Sequence, residues 1–341
     1  MKILLIGGTG TISAAISDLL VKQGHELYLL NRGSRSARMP EGAHLIRADM
    51  GDEDGVRQAL SGMDFDCVGE FIGFVPAQVE RDIHLFSGRC GQYVYISSAS
   101  AYHKPVRDYR ITEGTSLANP YWEYSRNKIA CEDVLMRAYR ENGFPVTIVR
   151  PSHTYDERSL PVAVHGKNGS WQVLSRILQG KPVLIPGDGT SLWTLTFNED
   201  FAKGYTGLLG NPHAIGEAFH ITSDESLTWN QIHETAARLL GKTLLPYHVS
   251  ADFLAAAGPQ YDFTGALTGD KSCSVVFDNS KLKRAVPGYQ ATIRFEEGAA
   301  RCIRYISAHP ELQREDPEFD RWTDRVIAAL GKAREEVLAG V

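Results

Sequence analysis

The most constraining feature lies at the start of the chain. An apolar run, KILLI at 2–6, breaks directly into Gly7-Gly8-Thr9-Gly10-Thr11-Ile12-Ser13 and then into a helical pattern, AAISDLLVKQG. Strand, glycine turn and helix in that order form the context in which a glycine pattern signals a dinucleotide. Gly7 permits the tight turn, and Gly10 lets backbone N–H groups approach a pyrophosphate at the helix N-terminus. Gly7, Thr9, Gly10, Thr11 and Ile12 are therefore the candidate phosphate-loop contacts. Ser13 stands where a third glycine is usual, and is small enough for close helix–strand packing.

Short apolar runs continue at 26–30, 44–48, 66–71, 93–97 and 146–150, separated by amphipathic stretches at 53–60 and 127–143. Alternating β and α implies a parallel sheet with right-handed crossovers. The predicted class is α/β, a Rossmann-type doubly wound parallel sheet with a smaller C-terminal substrate lobe. Residues 1–165 and about 190–240 are assigned to the dinucleotide-binding domain, and about 166–189 and 241–315 to the lobe. Residues 316–341 read as an amphipathic C-terminal helix. A helix is expected to start at Thr228 with Gln231 closing a capping box. Residues 250–275 show no clear period.

The 341 residues carry a formal net charge of -5 and no block of like charge, which leaves no footprint for nucleic acid. Cysteines 67, 90, 131, 273 and 302 are scattered and odd in number, and read as free thiols in a reducing compartment. With an apolar strand beginning at residue 2, no room is left for a signal peptide. No run of eighteen apolar residues spans a membrane, so a cytoplasmic location is expected.

The end of the second predicted strand selects the cofactor. An acidic residue there would bind the ribose 2′-OH of NAD. Asn31 lacks the carboxylate that would repel a 2′-phosphate, and Arg32 offers a guanidinium to clamp one, with Arg35 close by in sequence. NADP is thus expected over NAD. Asp49, after the third strand, either meets the adenine ring or serves as a turn residue.

A tyrosine that works as a base must shed a proton from a group of pKa about 10, which near pH 7 needs about 4 kcal/mol of extra stabilisation of the phenolate. An ammonium on the same helical face supplies much of that. Of the 14 tyrosines, Tyr124 alone has lysine at i+4, Lys128. Tyr121 pairs instead with Ser125 and reads as packing or pocket wall. The strand YVYISSASAY ends in hydroxyls at Ser97, Ser98 and Ser100, at the end of the sheet that faces a ligand crevice.

Taken in order, GGTGTIS, SSASAY and YSRNK resemble the extended short-chain dehydrogenase/reductases, the group of the nucleotide-sugar epimerases and dehydratases, over residues 1 to about 300. The resemblance implies an NAD(P)-dependent oxidoreductase or epimerase acting at a hydroxyl or carbonyl carbon of a sugar-like small molecule. It makes Tyr124 the general acid/base, Lys128 the residue that lowers its pKa and binds the nicotinamide ribose, Ser98 the group that orients the reacting oxygen, with Ser97 its nearest competitor, and Pro151 a neighbour of the nicotinamide. No metal is called for. A homodimer through sheet-flanking helices is expected by analogy.

Several positions depart from that pattern. Trp193 occupies the place of a diphosphate-binding arginine, and the second such arginine, just before a Gly-Asp, is missing from Ala266-Leu-Thr-Gly-Asp270. Trp193 either stacks on a sugar ring or packs in the core. His153 replaces a substrate-binding Asn and is taken as a pocket polar group. Glu70 breaks the small-residue pattern after the fourth strand. The competing reading is a cofactor-sensing or RNA-binding relative of the same fold that performs no catalysis.

Overall fold

The computed structural model describes residues 1–33 and 38–340, so Arg35 lies outside the described residues. Two compact units result: Met1–Thr154, Thr194–Asp224 and Phe277–Ile293 make the first, and Tyr155–Trp193, Glu225–Val276 and the remainder from Arg294 make the second.

The first unit is built on a seven-stranded parallel sheet. Its strands are β1 (Lys2–Ile6), β2 (Glu26–Asn31), β3 (His44–Arg47), β4 (Phe65–Glu70), β5 (Cys90–Ile96), β6 (Val146–Pro151) and β7 (Ala218–Ile221). Their spatial order is β7-β6-β5-β4-β1-β2-β3, every pairing parallel. The chain walks outward from β1 to β3, then returns to place β4 on the other side of β1. That reversal opens a crevice beyond the C-terminal ends of β1 and β4, where doubly wound sheets take ligands.

Successive β1 side chains alternate between two cores. Ile3 and Leu5 pack with Ile16, Leu20, Phe201 and Tyr205, whereas Leu4 and Ile6 pack with Val56, Val79, Leu85 and Leu135. Each buried aliphatic side chain contributes about 1.5–3 kcal/mol of transfer free energy. The layers over the sheet are α1 (Ser13–Lys22), α2 (Glu53–Ala59), α3 (Pro76–Phe86), α4 (Glu123–Asn142) and α5 (Asn198–Leu208). Asp52 caps α2 by accepting from the Gly55 N–H at 3.0 Å. Pro76 opens α3 where a missing N–H costs nothing. Gly143 ends α4 at φ 69°, the left-handed conformation that glycine adopts freely. The helix begins at Glu123, one turn before the periodic stretch expected at 127–143.

In the second unit the helix Trp229–Leu239 starts at the expected box: Thr228 Oγ1 accepts from Gln231 N–H at 3.1 Å, and Gln231 Oε1 accepts from Thr228 N–H at 2.9 Å. Strands Val183–Pro186 and Pro246–Val249 pair in parallel. The helix Pro317–Ala339 is held by Arg176, buried at its guanidinium, which meets Asp320 at 2.5 Å and Asp324 at 2.7 Å. The aperiodic stretch folds as helix Ala251–Ala257 followed by a π-wound segment Thr264–Lys271. A π turn spaces side chains unlike the 3.6-residue repeat, which is why no period was visible.

Candidate active site

A cleft of about 550 Å³ lies at the C-terminal ends of β1, β2, β4, β5 and β6. Gly7, Thr9, Gly10, Thr11 and Ile12 line one wall, Asn31, Arg32 and Asp49 one end, and Tyr124, Lys128, Ser97 and Pro151 the other.

The glycine loop is formed by its own chemistry. Gly7 sits at φ +88°, and a Cβ there would come within 2.7 Å of Ile72 Cγ2. Alanine at this position is disfavoured by backbone and by space. The Gly7 N–H donates to the Leu30 carbonyl at 3.1 Å, fixing the turn to β2. Ser13 does more than pack closely: its hydroxyl donates to the Gly7 carbonyl at 2.8 Å and accepts from the Gly10 N–H at 2.8 Å, stitching the loop ends together. The first turn of α1 carries no acidic residue, so the positive end of its dipole remains available to an anion. The cradle fits the pyrophosphate of a dinucleotide.

At the adenosine end, Asn31 Oδ1 accepts from the Gly33 N–H at 2.7 Å and shapes the turn that carries Arg32. The Arg32 guanidinium lies 4.0 Å from the Asp49 carboxylate, both well exposed, so the pair holds little energy and leaves the guanidinium accessible. Arg47, unremarked in the sequence, reaches across to donate from Nε to the Arg32 carbonyl at 3.3 Å.

At the far end, Tyr124 and Lys128 share one face of α4. Lys128 is 1% exposed, donating from Nζ to the carbonyls of Gly73 and Ile96, each at 2.7 Å. Burial pulls its pKa down to about 8, opposed by Cys131, Glu70 and Glu132. The ammonium is 5.9 Å from the centre of the Tyr124 ring, and 4.8 Å from those of Phe74 and Tyr95. The Tyr124 ring is half-buried between Trp122 at 5.0 Å and Phe74 at 6.5 Å. Tyr121, read as packing or pocket wall, is instead 39% exposed and is absent from the cleft lining.

The serines divide. Ser97 lines the cleft, and its buried hydroxyl donates to Glu132 Oε1 at 2.5 Å; Glu132 is held in turn by Arg150 at 2.6 and 2.9 Å. Ser98 lies just outside the lining. Its Oγ is 2.9 Å from Ser100 Oγ, which accepts from Ser125 Oγ at 2.7 Å. His153, in the strand His153–Tyr155, is half-buried and outside the lining. Trp193 is 3% exposed and stacks one indole face on Trp229 at 5.5 Å. Phe71, Ile72 and Phe74, not among the expected site residues, form the wall beside Lys128. Their position directly after an apolar strand was the available signal. Among the described residues no group of three or more His, Cys, Asp or Glu is arranged to hold a metal, and no helix is long and apolar enough to cross a membrane.

A doubly wound sheet with a glycine cradle at its crevice is the architecture of a dinucleotide-binding domain. The chain belongs to the NAD dependent epimerase/dehydratase family, whose model matches residues 3–222. It is 25% identical over 290 residues to 2'-dehydrokanamycin reductase of Streptomyces kanamyceticus, covering 85% of this chain and 80% of that protein. It is 28% identical over 255 residues to the chloroplast stem-loop binding protein of 41 kDa b of Arabidopsis thaliana, covering 70% and 63%. Among solved structures, UDP-glucuronic acid 4-epimerase from Bacillus cereus, in complex with UDP-glucuronic acid and NAD, shares the fold with a TM-score of 0.71 at 18% identity, covering 90% of this chain and 99% of that one.

Proposed function

We propose that the protein interconverts a hydroxyl and a carbonyl on a sugar-like substrate, with Tyr124 as general acid/base and NADP(H) as the preferred cofactor. The single observation that carries this reading is the presence of Tyr124 and Lys128 in the same cleft as the glycine cradle. Gly7, Gly10 and the start of α1 would hold the pyrophosphate, Arg32 a 2′-phosphate and Lys128 the nicotinamide ribose. When bound, the nicotinamide supplies or accepts the hydride.

The chain's own part is the proton and the geometry. In the reductive direction the Tyr124 phenol gives its proton to the carbonyl oxygen as the carbon is reduced; in the oxidative direction the phenolate takes it back. The adjacent ammonium favours the phenolate, with Phe74 and Trp122 beside the ring. Ser98 orients the reacting oxygen, supported by the Ser100–Ser125 hydroxyl chain, and proton transfer contributes on the order of 10²–10⁴ in rate. Similarity to 2'-dehydrokanamycin reductase supports a carbonyl substrate.

The test is Tyr124→Phe, assayed with a panel of keto sugars and NADPH. Turnover should fall by at least about 10²-fold while NADPH affinity is kept; near-normal turnover defeats the assignment. The similarity to a stem-loop binding protein supports a second reading, in which this fold binds RNA. A filter-binding titration across salt concentration addresses it, because phosphate-backbone binding weakens steeply with salt.

A further inference from the structure

Glu70, the residue that broke the expected pattern after β4, is 0% exposed on the sheet face covered by α3 and α4. Its Oε1 accepts from the Ile72 N–H, and its buried carboxyl also meets the Asp82 side chain. Directly above it runs the turn 71–73. A Cβ built on Gly73 would come 3.2 Å from Glu70 Cγ and 3.3 Å from Tyr95 Cε2, so turn and side chain are in close contact. The Gly73 carbonyl is the acceptor for both Lys128 Nζ at 2.7 Å and Tyr95 OH at 3.0 Å.

We propose that Glu70 is a positioning residue for Lys128: it anchors the turn 71–73, whose Gly73 carbonyl fixes the ammonium beside Tyr124. This rests on the role given to Lys128 above. The surroundings of this carboxyl favour the undissociated acid. Burial and then the Asp82 carboxylate push its pKa well above the usual range; the Ile72 N–H and Arg81 oppose this without overcoming it. Two buried carboxyls side by side do not both ionise. Asp82 accepts from Arg81 Nε at 2.9 Å, Arg81 Nη2 at 2.7 Å and Tyr93 OH at 2.7 Å, whereas Glu70 accepts from one backbone N–H, which favours the proton on Glu70. The other groups around it are Tyr95 of β5, Lys128 of α4 and the buried phenol of Tyr205 in α5. Glutamate therefore braces the turn from below; as the undissociated acid it adds no charge beside the ammonium, whereas ionised it would raise the Lys128 pKa.

The experiment uses the full chain with NADPH as probe, and lysine-labelled protein whose Lys128 Nζ resonance is identified by its loss in Lys128→Met. Glu70→Gln replaces the acid by a neutral group of the same shape. It should leave NADPH affinity within about twofold and the Lys128 titration midpoint near that of the unaltered protein. A fall in that midpoint would mean a carboxylate had been removed from beside the ammonium, and would overturn the undissociated-acid claim. Glu70→Leu removes the acceptor for Ile72 N–H and should weaken NADPH binding about tenfold, equivalent to about 1.4 kcal/mol, but by less than about twofold in a Lys128→Met background. Equal losses in both backgrounds, or no loss in either, overturn the positioning role. If Glu70→Leu does not fold, Gly73→Ala, which presses on the same contact from the cleft side, takes its place in the cycle. Unchanged NADPH affinity in Lys128→Met alone would sink the cofactor role of Lys128, while the glutamine titration still judges the state of Glu70.

Discussion

Lys128 Nζ lies 5.9 Å from the centre of the Tyr124 ring, one helical turn along the same face of α4, with both of its carbonyl acceptors supplied by the sheet side. A buried ammonium costs folding energy, because burial favours the neutral amine. The folded pKa of about 8 lies below the ordinary 10.5, so between those values the unfolded chain binds more protons than the folded one. Stability from this group therefore rises as pH rises through that window. Urea denaturation of the unaltered protein and Lys128→Met at pH 7 and pH 10 should show the difference moving in favour of the unaltered protein, by a few kcal/mol at most. A difference that stays flat with pH would contradict the burial of the ammonium.

Gly7 makes a second prediction. Its φ of +88° and the 2.7 Å approach to Ile72 that a Cβ would make both oppose alanine. The backbone term alone is about 1–2 kcal/mol, and the clash pushes on the wall beside Lys128. Gly7→Ala should weaken NADPH at least tenfold and lower the melting temperature. Gly24→Ala, also at positive φ but with open space around it, should cost stability alone and leave NADPH affinity unchanged. Titration by nucleotide fluorescence and a thermal melt separate the two.

How much of this was legible in the sequence follows from how local each signal is. β1, the glycine turn and α1 were readable because strand, turn and helix signals adjoin in a single run of residues. The Tyr124–Lys128 pairing was readable because helix geometry carries side chains at i and i+4 to one face. The division of labour between Ser97 and Ser98 was not, because it depends on which hydroxyl Glu132 captures from α4, thirty-five residues away. The stacking of Trp193 on Trp229 was likewise a tertiary fact. The stitching role of Ser13 lay hidden in a position treated as a substitute glycine: smallness was visible, the two hydrogen bonds were not.

Glu132 and Arg150 form a buried ion pair whose carboxylate also takes the Ser97 hydroxyl. Removing one partner of such a pair leaves an uncompensated charge and costs about 3–5 kcal/mol. Glu132→Ala should therefore be strongly destabilising. Glu132→Ala combined with Arg150→Met should be less so than the sum of the single changes. A double-mutant cycle by chemical denaturation measures this, and additivity would show that the pair does not act as a unit.

Cofactor choice is the last prediction and turns on one guanidinium. Arg32 is exposed, lies on a turn fixed by Asn31, and approaches Asp49 no closer than 4.0 Å. The cost of redirecting it to a 2′-phosphate is small, and a charge-assisted contact of that kind contributes about 1.5–3 kcal/mol. Arg32→Ala should weaken NADPH by about tenfold or more and leave NADH within about twofold. Because the contact is solvent-exposed, the preference for NADPH should also shrink as salt is raised. Dissociation constants for both nucleotides, at low and at high salt, decide it. If the unaltered protein binds NADH and NADPH equally, Arg32 does not read the 2′ position, and the cofactor assignment reverts to NAD.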